Sequence, residues 1–242
     1  MRRSLLPPAH VEAPDLEIGP FYEPLALDMG CIGGDYYDVF TLPDGQVVVS
    51  IADVCGKGIA AAVRTAFSKY TIRAFALDTP SPHQVLARAN AAFVAQETDS
   101  ESFTTLAYAL LDPRRGSLSL SVAGHPPALL YCASLGRCVH LDAGGTALGV
   151  LPGEQYDEVL GSFGPGDVLL LYTDGVLEAR RDEEEFGLER LEAEFTRVAS
   201  YRPQEIAETL IETARRFADG GLRDDVTLLV LKNTCRDDAV RA

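Results

Sequence analysis

Basic residues and long apolar runs are scarce in this chain of 242 residues, and each scarcity excludes a class of function. Lysine and arginine number 21 against 36 aspartates and glutamates, so the formal net charge is −15. A field of that sign repels nucleic-acid backbones and anionic membranes. No window has the apolar length that spans a bilayer, and prolines interrupt the N-terminal region before a signal-peptide core could form. We therefore expect a soluble, cytoplasmic protein with neither nucleic acid nor membrane as a partner.

Motifs built on cysteine, histidine or serine are also missing. The five cysteines form no CxxC pair, which argues against a disulfide framework and against a zinc–thiolate site. The sequence has no HExxH, no GxSxG and no cysteine–arginine phosphatase loop. Of the four histidines only His125, followed by two prolines, is a candidate for a place near a site, and a buried structural histidine is the alternative. Carboxylates are therefore the remaining candidates for catalytic or metal-binding groups.

The hydrophobic pattern predicts two packed sheets covered by helices. Short strands are indicated at 16–22, 34–40 and 46–54, and helical spacing begins after Gly58 and again at Pro82. An antiparallel meander follows from residue 102, and then come a buried strand, two helices and a final strand. Because many strands are apolar on both faces and the helices fall in pairs, we expect an α+β fold rather than a parallel βαβ array.

Two aspartates are expected to meet at the open end of the first hairpin. A turn centred on Asp44 and Gly45 places Asp35 opposite Val54 and Tyr36 opposite Asp53, and a longer loop shifts this pairing by two. Like charges so close require protonation or a cation. A divalent metal ion satisfies that requirement.

Further aspartates lie at other strand ends. Asp174 ends the apolar run VLLLYTD, and Asp224 with Asp225 precedes VTLLVL. An all-oxygen cluster of this kind suits Mg²⁺ or Mn²⁺. The alternative is that Asp174–Gly175 is an ordinary turn, as we conclude for Asp44. Next to Asp53, the glycine-rich GKGIAAA (56–62) fails the Walker pattern, so Gly56 and Gly58 are predicted only to allow a tight turn before a helix whose amides face the site.

Six motifs occur in an order that is specific to one family. They are GGDYYDVF (33–40), IADVCGKGIAAA (51–62), SVAGHPPALLY (121–131), LYTDGVLEAR (171–180), EFGLERL (185–191) and RDDVTLLVL (223–231). Together they resemble the bacterial metal-dependent serine/threonine phosphatases of the protein phosphatase 2C (PP2C) type, in the branch of sporulation stage II protein E and RsbU. The resemblance extends from residues 5–7 to residue 231.

The resemblance implies an α-β-β-α sandwich with two Mn²⁺ or Mg²⁺ ions at one end. Asp53 would bridge both ions, the Val54 carbonyl would bind one of them, and Asp174 with Asp224 would hold the other. Asp35 would support the site directly or through water, and Asp53 and Asp35 are the residues to which we assign catalysis. Residues expected to back the site or to take part in a switch are Gly56, Gly58, Gly175 and Asp225.

The resemblance also implies a reaction and its partners. A metal-activated water would attack a phosphoserine or phosphothreonine directly, without a covalent phosphoenzyme. The substrate implied is a phosphorylated anti-sigma factor antagonist of the STAS type, in a partner-switching pathway. An upstream sensor domain or activator and a homodimer are the other partners implied.

The domain prediction is one catalytic domain over 1–242, with 1–15 as the remnant of a linker and 233–242 as a flexible tail. Either the domain stands alone or a regulatory domain precedes it. No residue clearly matches the phosphate-gripping arginine of eukaryotic members, so Arg2 or Arg3 is only a guess. Two other functions stay open: a non-catalytic binding module, against which the retained aspartates argue, and a nucleotide switch, which would bind ATP or GTP.

Overall fold

The computed structural model describes residues 13, 15–24, 34–56, 58–96, 102–219 and 221–235. Two five-stranded antiparallel sheets form its centre. Their strands are β1 (Leu16–Glu23), β2 (Tyr36–Thr41), β3 (Val47–Val54), β4 (Thr104–Asp112), β5 (Ser117–Ala123), β6 (Ala128–Cys132), β7 (Arg137–Leu141), β8 (Val159–Ser162), β9 (Val168–Tyr172) and β12 (Val226–Asn233). The strand orders are β1-β12-β9-β6-β7 in one sheet and β2-β3-β4-β5-β8 in the other. A small ribbon adds β10 (Arg180–Arg181) and β11 (Glu184–Glu185).

Helices cover the outer face of each sheet. Their bounds are α1 (Gly58–Asp78), α2 (Pro82–Gln96), α3 (Gly187–Val198) and α4 (Pro203–Phe217), with a short 3₁₀ helix at Asp174–Val176. Side chains of α3 and α4 share one buried apolar cluster with the β9–β12 sheet, and those of α1 and α2 share another with the β3–β4 sheet. The predicted α-β-β-α sandwich is confirmed. None of the helices in the described part of the chain is long and apolar enough to cross a membrane.

Central strands are buried on both faces, and their alternation separates two apolar cores. In β3, Val49 and Ile51 point between the sheets, whereas Val48 and Ala52 point toward α1 and α2. Side chains alternate along a strand, so every odd position of β3 belongs to the inter-sheet face. Asp53, at an odd position, therefore belongs to the inter-sheet face.

Helix α1 is attached to β2 through polar groups. The Tyr36 hydroxyl lies 2.7 Å from the Ser68 hydroxyl. Asp38, only 2% exposed, accepts two hydrogen bonds from Arg73 at 2.9 and 2.8 Å and lies 3.5 Å from the Lys69 ammonium. A buried charge is tolerated only when it is paired in this way. The helix is therefore held beside the β2–β3 hairpin by directional contacts.

The predicted hairpin register was wrong by one residue. Tyr36 pairs with Ala52, not with Asp53, and the register continues to Thr41 opposite Val47. The cause is a three-residue loop closed by a Gly45 N–H to Leu42 carbonyl bond of 2.9 Å, with Gly45 in the left-handed region at φ 91°. A shift of one residue moves a strand's side chains to the other face.

The chain ends require a correction at one boundary. Asn233, predicted to open a flexible tail, ends β12 and is 1% exposed, because its side-chain amide donates to the Pro113 and Phe163 carbonyls at 3.0 and 2.6 Å. Near the other end, the Asp15 carboxylate accepts a 2.8 Å bond from Arg114. Residues 1–12, 14 and 236–242, which carry the rest of the linker and tail predictions, lie outside the described residues.

Candidate metal centre

The inter-sheet face turns from aliphatic to polar at one end of the sandwich. Asp53 has the parity of Val49 and Ile51, and Thr173 and Thr227 have the parity of the apolar inter-sheet residues of β9 and β12. Asp35 directly precedes β2, at the position that the observed register sets opposite Asp53. Both sheets thus contribute polar side chains to one end of the inter-sheet space.

Asp35 is the most buried of the aspartates predicted for the site. It is 5% exposed, and its Oδ2 accepts hydrogen bonds from the Thr173 and Thr227 hydroxyls at 2.7 and 2.9 Å. Burial raises its pKa to about 8, and the neighbouring charge of Asp53 acts in the same direction. The two threonines belong to the opposite sheet, so Asp35 joins the sheets through a carboxyl group that favours its protonated form.

Asp53 ends the inter-sheet face of β3 and is half-buried. Burial is the main cause that raises its pKa to about 7, and the negative charges of Asp174, Asp224 and Asp225 raise it further. These three residues come from the other sheet and its connections, and their effect on Asp53 shows that they lie close to it. The prediction that distant strand ends bring their aspartates together is consistent with this electrostatic coupling.

Asp174 and Asp224 lie at the open side of this group. Asp174 begins the 3₁₀ helix and is exposed as a residue, but its carboxyl group is partly enclosed; this burial and the charge of Asp224 raise its pKa. Asp224 is also exposed, and its Oδ1 accepts a 2.8 Å bond from the backbone N–H of Asp225. Exposure to solvent therefore increases from the buried Asp35 to Asp174 and Asp224.

Gly34 and Asp225 connect the strands that carry the aspartates. The Gly34 N–H donates to Asp225 Oδ2 at 3.0 Å, and its carbonyl accepts from Val54 N–H at 3.3 Å. A Cβ at Gly34 would lie 2.3 Å from the Val54 carbonyl oxygen, and one at Gly175 would lie 2.2 Å from the Asp225 carbonyl oxygen. Only glycine permits both approaches. Asp225 thus bonds to the backbone next to Asp35, and Gly175 packs against the Asp225 backbone; the supporting role of both residues stays a prediction.

The turn that follows Asp53 has the expected geometry. Gly56 and Gly58 adopt φ values of 115° and 77°, a region that other residues rarely enter, and α1 begins at Gly58. The amide end of that helix thus follows the metal-site strand by a few residues. Arg2 and Arg3, the phosphate-binding guess, lie outside the described residues.

The donor set suits hard cations that keep much of their water. Within the described ranges, no three histidine, cysteine, aspartate or glutamate side chains converge closely enough to hold one metal ion. Mg²⁺ commonly binds through one or two carboxylates plus waters and substrate phosphate, so carboxylates that do not form a closed cage still suit it. The raised pKa values of Asp35 and Asp53 show that a nearby positive charge would relieve the cost of ionising them.

Sequence reasoning missed several contributors. Thr173 and Thr227, which bind Asp35, are adjacent or close to the predicted aspartates in LYTDG and RDDVT, but nothing in the pattern distinguishes them from ordinary strand threonines. Glu178 was also missed: burial and the charges of Asp174 and Asp224 raise its pKa, so it lies near the open side of the group. Its signal was the spacing of four residues from Asp174.

The sandwich with an acidic end defines the class of protein, a PP2C-like α+β fold. Residues 43–234 match the family model of Stage II sporulation protein E (SpoIIE), and the chain belongs to that family. The phosphoserine phosphatase RsbU of Bacillus subtilis (strain 168) is 31% identical over 217 residues, which are 86% of this chain and 63% of RsbU. The chain thus spans less than two thirds of that relative's length.

Solved structures agree on the fold. The RsbU and RsbW domains of Rv1364c from Mycobacterium tuberculosis superpose with a TM-score of 0.77 at 28% identity, covering 92% of this chain and 61% of that chain. The PP2C phosphatase domain of SpoIIE from Bacillus subtilis, with a fragment of its regulatory domain, also gives a TM-score of 0.77, at 19% identity, covering 90% of this chain and 63% of that chain. The second likeness supports the fold alone.

Proposed function

We propose that this chain is the catalytic domain of a metal-dependent phosphoserine/phosphothreonine protein phosphatase. The observation that carries the proposal is the convergence of aspartates from both sheets on one end of the sandwich, where burial and mutual repulsion raise the pKa values of Asp35 and Asp53. Carboxylates that raise one another's pKa values are relieved by a cation. Family membership makes phosphate ester hydrolysis the reaction of choice.

Asp53, Asp174, Asp224 and the Val54 carbonyl are the groups that would hold two Mn²⁺ or Mg²⁺ ions. When bound, the ions supply water activation and neutralise phosphate charge. The catalytic domain of PstP, which shares this fold, was solved in complex with 2 manganese ions. In this chain the exposed Asp174 and Asp224 leave the metal face open to solvent, so a phosphorylated side chain on the surface of another protein can reach it.

Asp35 acts from behind the site. Its two threonine bonds fix its Oδ2, and its remaining oxygen is the one that faces away from those hydroxyls. That oxygen would bind a water or hold a proton close to Asp53. The high pKa of Asp35 keeps it protonated in the metal-free state, and ionisation becomes favourable only when positive charge is nearby.

A phosphorylated anti-sigma factor antagonist of the STAS type is the substrate that we propose. The support is the similarity to RsbU, which is named a phosphoserine phosphatase, and to a protein with RsbU and RsbW domains. Such a pathway would also supply an upstream sensor or activator and an intracellular location. A homodimer is part of the same proposal.

The test is hydrolysis of p-nitrophenyl phosphate and of a phosphoserine protein, with EDTA or with added Mn²⁺. Wild type should turn over only with metal, and Asp53→Asn should lose both hydrolysis and Mn²⁺ binding in calorimetry while its free energy of unfolding in EDTA stays equal or rises. Asp44→Asn, in the exposed turn at the other end of the hairpin, is the matched control and should behave as wild type. Full activity of Asp53→Asn in EDTA would contradict the mechanism.

A further inference from the structure

His125 lies in the short connection that crosses from one sheet to the other. Strand β5 ends at Ala123 in the β2–β8 sheet and β6 begins at Ala128 in the β1–β7 sheet, so residues 124–127 span the sandwich edge. The imidazole points inward and is 7% exposed. A polar side chain buried to this extent needs partners, and those partners define its role.

The imidazole contacts β4, the strand that pairs with the Asp53-bearing strand β3. Its Nδ1 lies 2.9 Å from the Thr105 hydroxyl, and Thr105 is the direct cross-strand neighbour of Asp53. Such neighbours share a face, with Cβ atoms about 5 Å apart. On the other side, the backbone of His125 leads into β6, in which Leu129 pairs with Leu170 of β9. Tyr172 ends β9, two residues before Asp174.

The backbone around His125 is restricted. Gly124 adopts φ 63° and donates its N–H to the Gly145 carbonyl at 2.8 Å. Pro126 and Pro127 follow and restrict φ to a narrow range. The imidazole is thus presented by a loop with little freedom, which is required of a group that sets the position of others.

We propose that His125 is a positioning residue that holds the Asp53 and Asp174 strand ends at a fixed separation, through its bond to Thr105 in one sheet and its place in the connection that leads into β6 of the other. The inference rests on the proposed metal centre. Asp53 and Asp174 repel one another, and His125 adds a link between the two sheets beside the bonds of Asp35 to Thr173 and Thr227. Groups that orient metal ligands from behind contribute substantially to metal affinity.

A neutral imidazole suits this position. Burial lowers the pKa of His125 to about 3, so the ring adds no charge to the acidic end. Its Nε2 makes no hydrogen bond of normal geometry to any residue in the described ranges, although it is fully enclosed. The bond to Thr105 is therefore the principal directional contact of the side chain. A substitution at either His125 or Thr105 can remove it.

The experiment measures Mn²⁺ binding by calorimetry and the melting temperature in EDTA for the full chain. His125→Phe keeps a ring without nitrogen, Thr105→Val removes the hydroxyl at constant shape, and Thr105→Ser restores it. His140→Phe, on the surface beside Glu192, is the control. We expect His125→Phe and Thr105→Val each to weaken Mn²⁺ binding about tenfold, with the double variant no weaker than either single one. Thr105→Ser and the control should bind as wild type.

The outcomes separate this inference from the proposed function. Wild-type Mn²⁺ affinity in Thr105→Val, with only a lowered melting temperature, would show a purely structural histidine and overturn the inference. Additive losses in the double variant would overturn it as well, because they would place the two residues in separate roles. If His125→Phe fails to fold, the comparison of Thr105→Val with Thr105→Ser decides the matter. A wild-type protein that binds no Mn²⁺ overturns the metal centre itself.

Discussion

Replacement of Asp35 by asparagine should remove a large pH dependence from the stability of the metal-free protein. The folded-state pKa of Asp35 is about 8 because the carboxyl group is buried, whereas an aspartate in an unfolded chain titrates near 4. The folded protein therefore retains a proton that the unfolded chain loses. This stabilising contribution is complete below about pH 4 and is lost as the pH rises toward the folded pKa.

The size of this effect follows from the change in the free energy of unfolding per pH unit. One proton held only by the folded state lowers the free energy of unfolding by about 1.4 kcal/mol per pH unit, so wild type should lose about 3 kcal/mol through Asp35 between pH 5 and pH 7. In a domain of this size that corresponds to a fall of about 6 °C or more in melting temperature. The side chain introduced by Asp35→Asn cannot titrate, and its carbonyl oxygen can accept from the Thr173 and Thr227 hydroxyls as Oδ2 does.

The assay is urea unfolding in EDTA at pH 5, 6 and 7, followed by circular dichroism. Asp53 also has a raised pKa and contributes its own slope to both proteins, so the quantity that matters is the difference between wild type and Asp35→Asn. Asp44→Asn repeats the chemical change at an exposed turn and should keep the wild-type slope. Parallel curves for wild type and Asp35→Asn would refute the argument that burial holds Asp35 protonated.

Two further substitutions test the packing around the site. Gly34→Ala should lower the free energy of unfolding by about 1–3 kcal/mol in thermal or urea unfolding, because its Cβ would overlap the β3 backbone; Gly161→Ala, whose Cβ meets one side chain at 3.6 Å, should be nearly neutral. Asp38→Asn should cost about 3–5 kcal/mol because it leaves the buried Lys69 without its charge partner, whereas Arg88→Gln, in an exposed pair, should cost under about 1 kcal/mol. Equal losses within either pair would contradict the packing described above.

The layers of the fold could be predicted because they depend on local pattern. Strands apolar on both faces must be covered twice, and the paired helices supply the cover. The side that α1 turns inward could not be predicted in this way. Ile59, Val63 and Leu77 are exposed, whereas Ser68 and Lys69 are buried against β2. Periodicity identifies a helix, but here polar contacts with β2 decide its rotation.

The sequence points to candidate site residues, which stay predictions, but it does not reveal how they are arranged. Aspartates at strand ends are visible in the sequence, but the first-hairpin register depends on one extra loop residue at Gly45 that shifts Asp35 into line with Asp53. With the predicted pairing the two carboxyl groups would occupy opposite faces of the sheet. Thr173 and Thr227 come to Asp35 from distant parts of the chain, and only the packing of the two sheets reveals them.

Ionisation of the aspartates at the acidic end of the sandwich affects both metal binding and the stability of the fold. Cations bind ionised carboxylates, so the Mn²⁺ affinity of Asp53 and its neighbours should rise over the pH interval in which the metal-free fold weakens. A ligand that binds only the folded state stabilises it by an amount that grows with its affinity. Added Mn²⁺ should therefore largely cancel this pH dependence near neutrality, because carboxylates that bind the ion stay ionised in the folded state as they are in the unfolded chain. A protein that gained as much stability from Mn²⁺ at pH 5 as at pH 8 would show that its carboxylates and its cation do not share one site.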